Sequence, residues 1–457
     1  MKTTMELRFF QRAVIYGLFL LAQTLFAQGV SFVSSTLPVG PHPVSIVVAD
    51  INGDGRPDLI SANRADSTLT IWTNAGNGSF GSNATLIVGL QPGCVAAVDI
   101  NGDGKVALIS ANTGSVSPWV GTNLTVLTND GSGDFGSNTT LTVDEYPYSL
   151  AVADINGDGT PDLVSLSFSQ VVNRMTLLTN NGSGGFAFKS SLNLSPATHF
   201  CVVAADVNGD GKPDLIYNSD ATAFTPASLT VLTNDGSGNF GFKTNIAVSS
   251  SLQYLANGYG FSFVAADVNH DGHMDLICAT VSPSRLIVLT NNGSGDFGTN
   301  AILSVGGGAN AVAVADINGD GNLDLISANG ADSTLTVLTN NGHGGWGFNS
   351  TLAVGAGPVS LMAADLNGDG RPDLISANYA GNTLTVLANI PRLTISRSAT
   401  NAIVSWPSSW TGWSLMQNSD LTTSNWSACT GIADDGTNRS LTIPSPMGSQ
   451  FFRLSSP

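Results

Sequence analysis

Ser45-Ile-Val-Val-Ala-Asp50, Ile51-Asn-Gly-Asp-Gly-Arg-Pro57 and Asp58-Leu-Ile-Ser-Ala-Asn63 are followed by Thr68-Leu-Thr-Ile-Trp-Thr-Asn74 and, past a Gly-rich turn, Phe80-Gly81 and Thr85-Leu-Ile-Val-Gly89. Each apolar piece is four to seven residues long, alternating or β-branched, and every break carries Gly, Asn, Asp or Pro. Such runs read as four short strands. The pattern recurs seven times, led by Asp50, Asp99, Asp154, Asp206, Asp267, Asp316 and Asp365, with a period of 49 to 61 residues. Four-stranded units of that length are the size of propeller blades.

The chain ends distinguish an open stack from a closed ring. The seventh unit stops at its third strand, Thr383 to Asn389, while an unassigned strand pattern, Val30 to Gly40, precedes the first unit and resembles the fourth strands. Pairing the two completes the last blade and leaves no long open edge. The fold class expected is therefore all-β: a seven-bladed propeller over residues 28–391, closed by its N-terminal strand. Residues 392–457 differ in composition, hold Trp406, Trp410, Trp413 and Trp426, and predict a small β-sandwich-like module similar to immunoglobulin or fibronectin modules, with its tryptophans in the core. At the other end, basic Lys2, Arg8 and Arg12, an apolar Ala13 to Leu25 and small Ala27 predict a signal peptide over residues 1–27. The mature chain is then secreted or at the cell surface, with no membrane span.

Between its first and second strands each unit carries Asp-x-Asn-x-Asp-Gly-x-x-Asp. Six copies are complete: Asp50, Asn52, Asp54 and Asp58; Asp154, Asn156, Asp158 and Asp162; Asp206, Asn208, Asp210 and Asp214; Asp267, Asn269, Asp271 and Asp275; Asp316, Asn318, Asp320 and Asp324; Asp365, Asn367, Asp369 and Asp373. Hard oxygen donors at positions one, three, five and nine, with a carbonyl at seven, are the donor set of calcium. An EF-hand does not fit, because position twelve is Ser61 rather than Glu and strand patterns flank the loop. The second unit keeps Asp99, Asn101 and Asp103 but has Ala107 at position nine, so about six calcium ions are expected, with the seventh site weak or absent.

Charge and composition agree with that reading. Lys and Arg total 16 against 33 Asp and Glu, a net charge of −17, which disfavours nucleic acid and anionic membrane. Only Glu6 and Glu145 are glutamates, and twenty of the 31 aspartates are loop residues. Four scattered cysteines, Cys94, Cys201, Cys278 and Cys429, lack metal spacing and are expected to be buried free thiols.

Together with Phe80-Gly81, Phe135-Gly136, Phe240-Gly241, Phe297-Gly298 and turns such as Gly355-Ala-Gly-Pro358, these loops make residues 30–389 resemble FG-GAP repeats, also called VCBS in secreted bacterial proteins. Units three and six depart with Phe186-Ala187 and Trp346-Gly347. The resemblance implies the propeller of integrin α-subunits, calcium and export; it implies no single activity.

Antiparallel alternation puts the calcium loops and the Gly-rich hairpins on one face, and the second-to-third and unit-to-unit loops on the other. The insertions fall on that opposite face and carry Trp119, Tyr146, Tyr148, Tyr254 and Tyr259. These aromatics are the candidate ligand-binding residues, for an extracellular glycan or protein partner of a monomeric chain. Two other readings stand beside recognition: a purely structural scaffold rigidified by calcium, and a polysaccharide-degrading enzyme drawing on Asp144, Glu145, Tyr146, His199, Arg64, Arg174 and Arg285. No catalytic constellation is recognisable among the latter.

Overall fold

A computed structural model describes residues 31–455 except 77, 117–118, 121, 169–171, 195–200, 220–226, 250–261, 391–392, 399, 409–412, 421–424, 437 and 447–449. The expected signal peptide, Tyr254 and Tyr259 lie outside the described residues. Among the described residues every regular element is a strand.

Seven four-stranded antiparallel sheets follow one another along the chain. The first holds Pro43–Ala49, Asp58–Asn63, Thr68–Asn74 and Phe80–Ile87 in sequence order. The seventh is assembled differently. Its strands Pro358–Ala364, Asp373–Asn378 and Thr383–Ile390 are joined at the outer edge by the N-terminal strand Ser31–Pro38, which pairs with Thr383–Ile390 from Ser31 opposite Ile390 to Pro38 opposite Thr383.

Burial follows position within a sheet. Second strands such as Asp58–Asn63 and Asp324–Asn329 are buried at every residue, because a neighbouring sheet covers each face, and small Ser, Ala and Asn allow the close approach. Outer strands alternate, as in Phe297–Ser304. Apolar clusters fill the space between consecutive sheets: Ile60, Leu69 and Ile71 meet Val95, Leu108 and Leu127 between the first and second. The seventh and first sheets share such a cluster too, with Ile375, Leu366 and Leu384 against Ile46 and Leu59. Each fully buried Leu or Ile contributes about 1.5–3 kcal/mol of transfer free energy.

The last part of the chain forms two more sheets, one holding Thr394–Ser398, Asn401–Pro407, Asn438–Ile443 and Ala433–Asp434, the other Ser427–Ala428, Ser414–Asn418 and Phe451–Ser455. Trp406, Trp413, Leu415, Phe452 and Leu454 are buried together there, so two of the three described tryptophans are core residues, Trp410 lying outside the described residues. The four cysteines are free, with Cys278 buried and the others half-buried.

Candidate metal loops and the opposite face

Each Asp-rich loop is wound around its first carboxylate. In unit one, Asp50 Oδ1 accepts from the N–H groups of Gly53 (2.8 Å) and Asp54 (3.2 Å), and Oδ2 accepts from Gly55 (2.7 Å). Asn52 Oδ1 accepts from Asp54 N–H, and Asp54 Oδ1 from the N–H of Arg56. Gly55 sits at φ 80°, a conformation that side chains resist, which is why position six is Gly in all seven units. Asp154, Asp206, Asp316 and Asp365 organise their loops in the same way.

The ninth-position aspartate is wholly buried and spans two backbone segments. Asp58 Oδ2 accepts from Ile51 N–H (3.1 Å) and Oδ1 from Asn74 N–H (2.7 Å), tying the loop to the end of the third strand. Asp162, Asp214, Asp275, Asp324 and Asp373 repeat the bridge. Burial pushes these carboxyls up against the pull of the two N–H groups: Asp275 to about 6, Asp324 to about 7 and Asp373 to about 8. Neighbouring loop carboxylates push further, Asp271 and Asp267 on Asp275, Asp320 on Asp324, and Asp369 and Asp365 on Asp373. Such crowding of like charge around one buried carboxylate in an oxygen-only donor set suits a hard cation. As the side chains stand, no group of three or more Asp, Glu, His or Cys among the described residues forms a ready cage. Part of the reason is visible: carboxylate oxygens are turned onto loop N–H groups, and the amides of Asn156, Asn269 and Asn318 donate to Asp158, Asp271 and Asp320.

The second loop keeps the winding around Asp99, whose Oδ2 accepts from Gly104 N–H at 2.8 Å. Ala107 is buried where the other units hold their bridging carboxylate. Asp99 titrates below the ordinary aspartate value: slight burial raises it, and the N–H groups of Gly104, Asn101, Gly102 and Asp103 outweigh that.

The sequence reading missed a residue that recurs in every unit. The Asn ending each third strand donates from its side chain to the carbonyl of the second loop position one unit back: Asn129 to Ile51, Asn180 to Ile100, Asn234 to Ile155, Asn291 to Val207, Asn340 to Val268 and Asn389 to Ile317, at 2.6–2.9 Å. Asn74 reaches Leu366 of the seventh unit at 2.6 Å. The available signal was the Asn after each third strand, which the turn preference of Asn disguised. In Asn291→Ala, Val207 and Met274 lose a donor and Gly293 and Gly295 an acceptor, and we expect a loss of about 2–4 kcal/mol in a denaturant melt. A loss below about 0.5 kcal/mol would mean that water replaces the latch.

Unit seven lacks the hairpin over which the position-seven side chain lies elsewhere, as Arg56 does over Gly76 and Lys212 over Gly236. Its Arg371 is buried and packs instead against Gly319 of the sixth loop.

On the opposite face three of the five predicted aromatics fall among the described residues, and they stand in different settings. Trp119 lies in a short hairpin, Ser115–Val116 paired with Trp119–Val120. Tyr148 is half-buried, its hydroxyl 3.4 Å from Arg64 Nη2 and its ring 5.5 Å from that guanidinium. Tyr146 is a correction: it is 4% exposed, at φ 51°, so its ring packs inward and offers no contact surface. Asp144 is also absorbed by the fold. It stands at the end of unit two where unit one has Gly89, and the space that Asn112 fills beneath that Gly is taken by its carboxylate, which accepts from Thr176 (2.7 Å), Ser191 (2.9 Å) and Arg174 (3.0 Å). Unit three has Ser167 in place of the Asn, so the exchange is compensated within the unit. Sequence reasoning also missed His42, stacked on Tyr379 at 4.4 Å between the first and seventh units.

Six stretches of the chain, 50–110, 99–165, 166–217, 219–278, 267–327 and 316–376, match the FG-GAP-like repeat. The chain belongs to the FG-GAP-like repeat family. Among solved structures, this FG-GAP protein is similar to BBS1N in complex with ARL6DN, at 14% identity and TM-score 0.52, covering 78% of this chain and 96% of that one. It is similar also to virginiamycin B lyase from Staphylococcus aureus (13%, TM-score 0.50, 79% and 100% covered) and to an Agrocybe aegerita lectin that recognises non-reducing terminal N-acetylglucosamine (21%, TM-score 0.46, 69% and 80% covered). At these identities the likeness to BBS1N and to the lyase is one of fold. A comparison with curated proteins gives no match.

Proposed function

We propose that the FG-GAP chain is an extracellular recognition module: a closed seven-bladed propeller, rigidified by calcium on one face and binding a glycan or protein partner on the other. One observation carries this reading. The Asp-rich loops are near copies of one another and their side chains bond to their own backbone, whereas the opposite face differs from unit to unit. In repeat folds, the uniform parts hold the scaffold and unit-specific insertions collect on the binding face. The hairpin at 115–120 and the Arg64–Tyr148 pair are such features. Closure is supported by the pairing of Ser31–Pro38 with Thr383–Ile390 and by the Asn74 bond to Leu366. Among the described residues no helix is long and apolar enough to cross a membrane. Binding is favoured over hydrolysis because Asp144, one of the two candidate acids of the insertion face, is held by three partners.

A glycan and extracellular-matrix array, run with calcium and with chelator, tests the proposal. For a hit on the insertion face, Tyr148→Ala or Arg64→Ala weakens binding by about 1–3 kcal/mol, while Asp320→Ala lowers the melting temperature and leaves affinity nearly unchanged. Binding that follows Asp320→Ala and ignores both face variants would move the site to the loop face. The calcium assignment has its own test. Ala107→Asp supplies the missing bridge in unit two, and bound calcium, measured after equilibrium dialysis, should rise by about one ion per chain. Unchanged content would show that the second loop fails for another reason.

A further inference from the structure

The buried aspartates at position nine of the loops are linked to one another. Between units four and five, Val207 at position two of the fourth-unit loop donates its N–H to Asp214 Oδ2 at 3.2 Å and accepts at its carbonyl from the Asn291 side chain at 2.7 Å. Asn291 in turn donates its backbone N–H to Asp275 Oδ1 of the fifth-unit loop at 2.8 Å. One valine and one asparagine therefore join two carboxylates of neighbouring units.

The same step runs from unit three to unit four, from five to six, from six to seven and from seven round to one. The six aspartates thus stand in one series that begins at Asp162 and ends at Asp58. Its break is unit two, where Ala107 brings no carboxylate. The bond from Asn129 to the Ile51 carbonyl consequently leads on to no further aspartate.

Two features make this series a route for coupling rather than a row of separate braces. Its asparagines, Asn74, Asn234, Asn291, Asn340 and Asn389, are at most 4% exposed, and in such surroundings each hydrogen bond polarises the next. Position two also lies between positions one and three, two of the oxygen donors that calcium would take. An ion on one loop would fix position two, whose carbonyl fixes the Asn of the following unit, whose N–H fixes the carboxylate of the following loop. The next ion then meets a carboxylate already held in place, and less ordering remains to be done on binding. We propose that the loops of units three to seven and of unit one bind calcium cooperatively as one array with its break at unit two, an inference that rests on the calcium reading of the loops.

Flow dialysis of the metal-stripped full chain, titrated with calcium alone, tests it. The parent should give a Hill coefficient above about 2. Asn291→Ala cuts the series in its middle yet leaves the backbone N–H that Asp275 uses, so the ion count should hold while the Hill coefficient falls by at least about 0.5. Asn340→Ala, which cuts between units five and six, should act in the same way and serves if Asn291→Ala folds poorly. Asn129→Ala is the control. It removes a bond of the same kind, 2.6 Å to Ile51, and a like contact to the hairpin at Gly131, but outside the series, and should leave the Hill coefficient at the parent's value. In an Ala107→Asp background, which closes the ring, Asn129→Ala should lower it too. A Hill coefficient of about 1 in the parent, which needs no variant, would overturn the proposal while leaving the calcium reading in place. Equal effects of Asn129→Ala and Asn291→Ala in the parent background would do the same, since both bonds would then be structural only. No bound calcium at all would overturn the calcium reading and this inference with it.

Discussion

A chain that begins at Pro41, without Ser31–Gly40, should aggregate on refolding. The missing strand is the outer partner of Thr383–Ile390 along eight residue pairs, and its loss strips one whole side of that strand of its ladder. An unpaired edge of this length recruits other chains. Packing is lost as well. Phe32 lies on the apolar cluster between the sixth and seventh sheets, Leu37 and Val39 on the one between the seventh and first, and Pro38 accepts from the Trp72 indole N–H at 3.1 Å. Each apolar side chain contributes about 1–3 kcal/mol, and three of them already approach the 5–15 kcal/mol that holds a typical domain folded. Gel filtration and a thermal melt check the outcome. A soluble monomer with the parent's melting temperature would show that the last sheet needs no fourth strand. Leu37→Asp tests the same edge with one atom group changed, and should lower the melting temperature without removing the ladder.

That pairing was legible because the seventh unit visibly lacked a strand and the N-terminal segment visibly had one to spare. The Asp-rich loops were legible as repeated structure for a similar reason: their oxygens recur at fixed spacing in unit after unit. What the spacing did not reveal is that Asp58 and its equivalents also serve the scaffold, accepting N–H groups from the loop and from the third strand. Nor did it reveal the Asn side-chain bonds from unit to unit, since an Asn before a Gly-rich hairpin reads as turn chemistry. The insertion face was read least well. Tyr146 looked like an exposed anchor in a polar loop, yet it is buried, and Asp144 looked available, yet it accepts from three donors. Sequence periodicity reports which residues alternate along a strand. It carries little about irregular loops, whose side chains are placed by contacts from distant units.

Calcium and protons should compete for the loops, with a sign that can be worked out in advance. Asp275, Asp324 and Asp373 titrate in the folded chain near 6, 7 and 8, above the ordinary aspartate value of 3.8, chiefly because burial penalises the charged form. A carboxyl raised by folding binds its proton more tightly in the native state. Its contribution is therefore present in full below the unfolded value and is lost as pH rises through the folded one. In chelator, the melting temperature should fall between about pH 5 and about pH 8, opposite to the usual behaviour of salt-bridged aspartates. Calcium favours the ionised form and must displace those protons to bind. Added calcium should thus stabilise the fold more at about pH 8 than at about pH 5, by up to about 2.7 kcal/mol per site at a hundredfold excess over the dissociation constant, read as a larger rise in melting temperature at the higher pH. Asp373→Asn, which keeps the shape and removes the charge, should flatten the pH slope in chelator and diminish the calcium response. A melting temperature that rises with pH in chelator would mean that the loop carboxylates are already compensated within the protein. An equal calcium effect at both pH values would mean that the ion binds elsewhere.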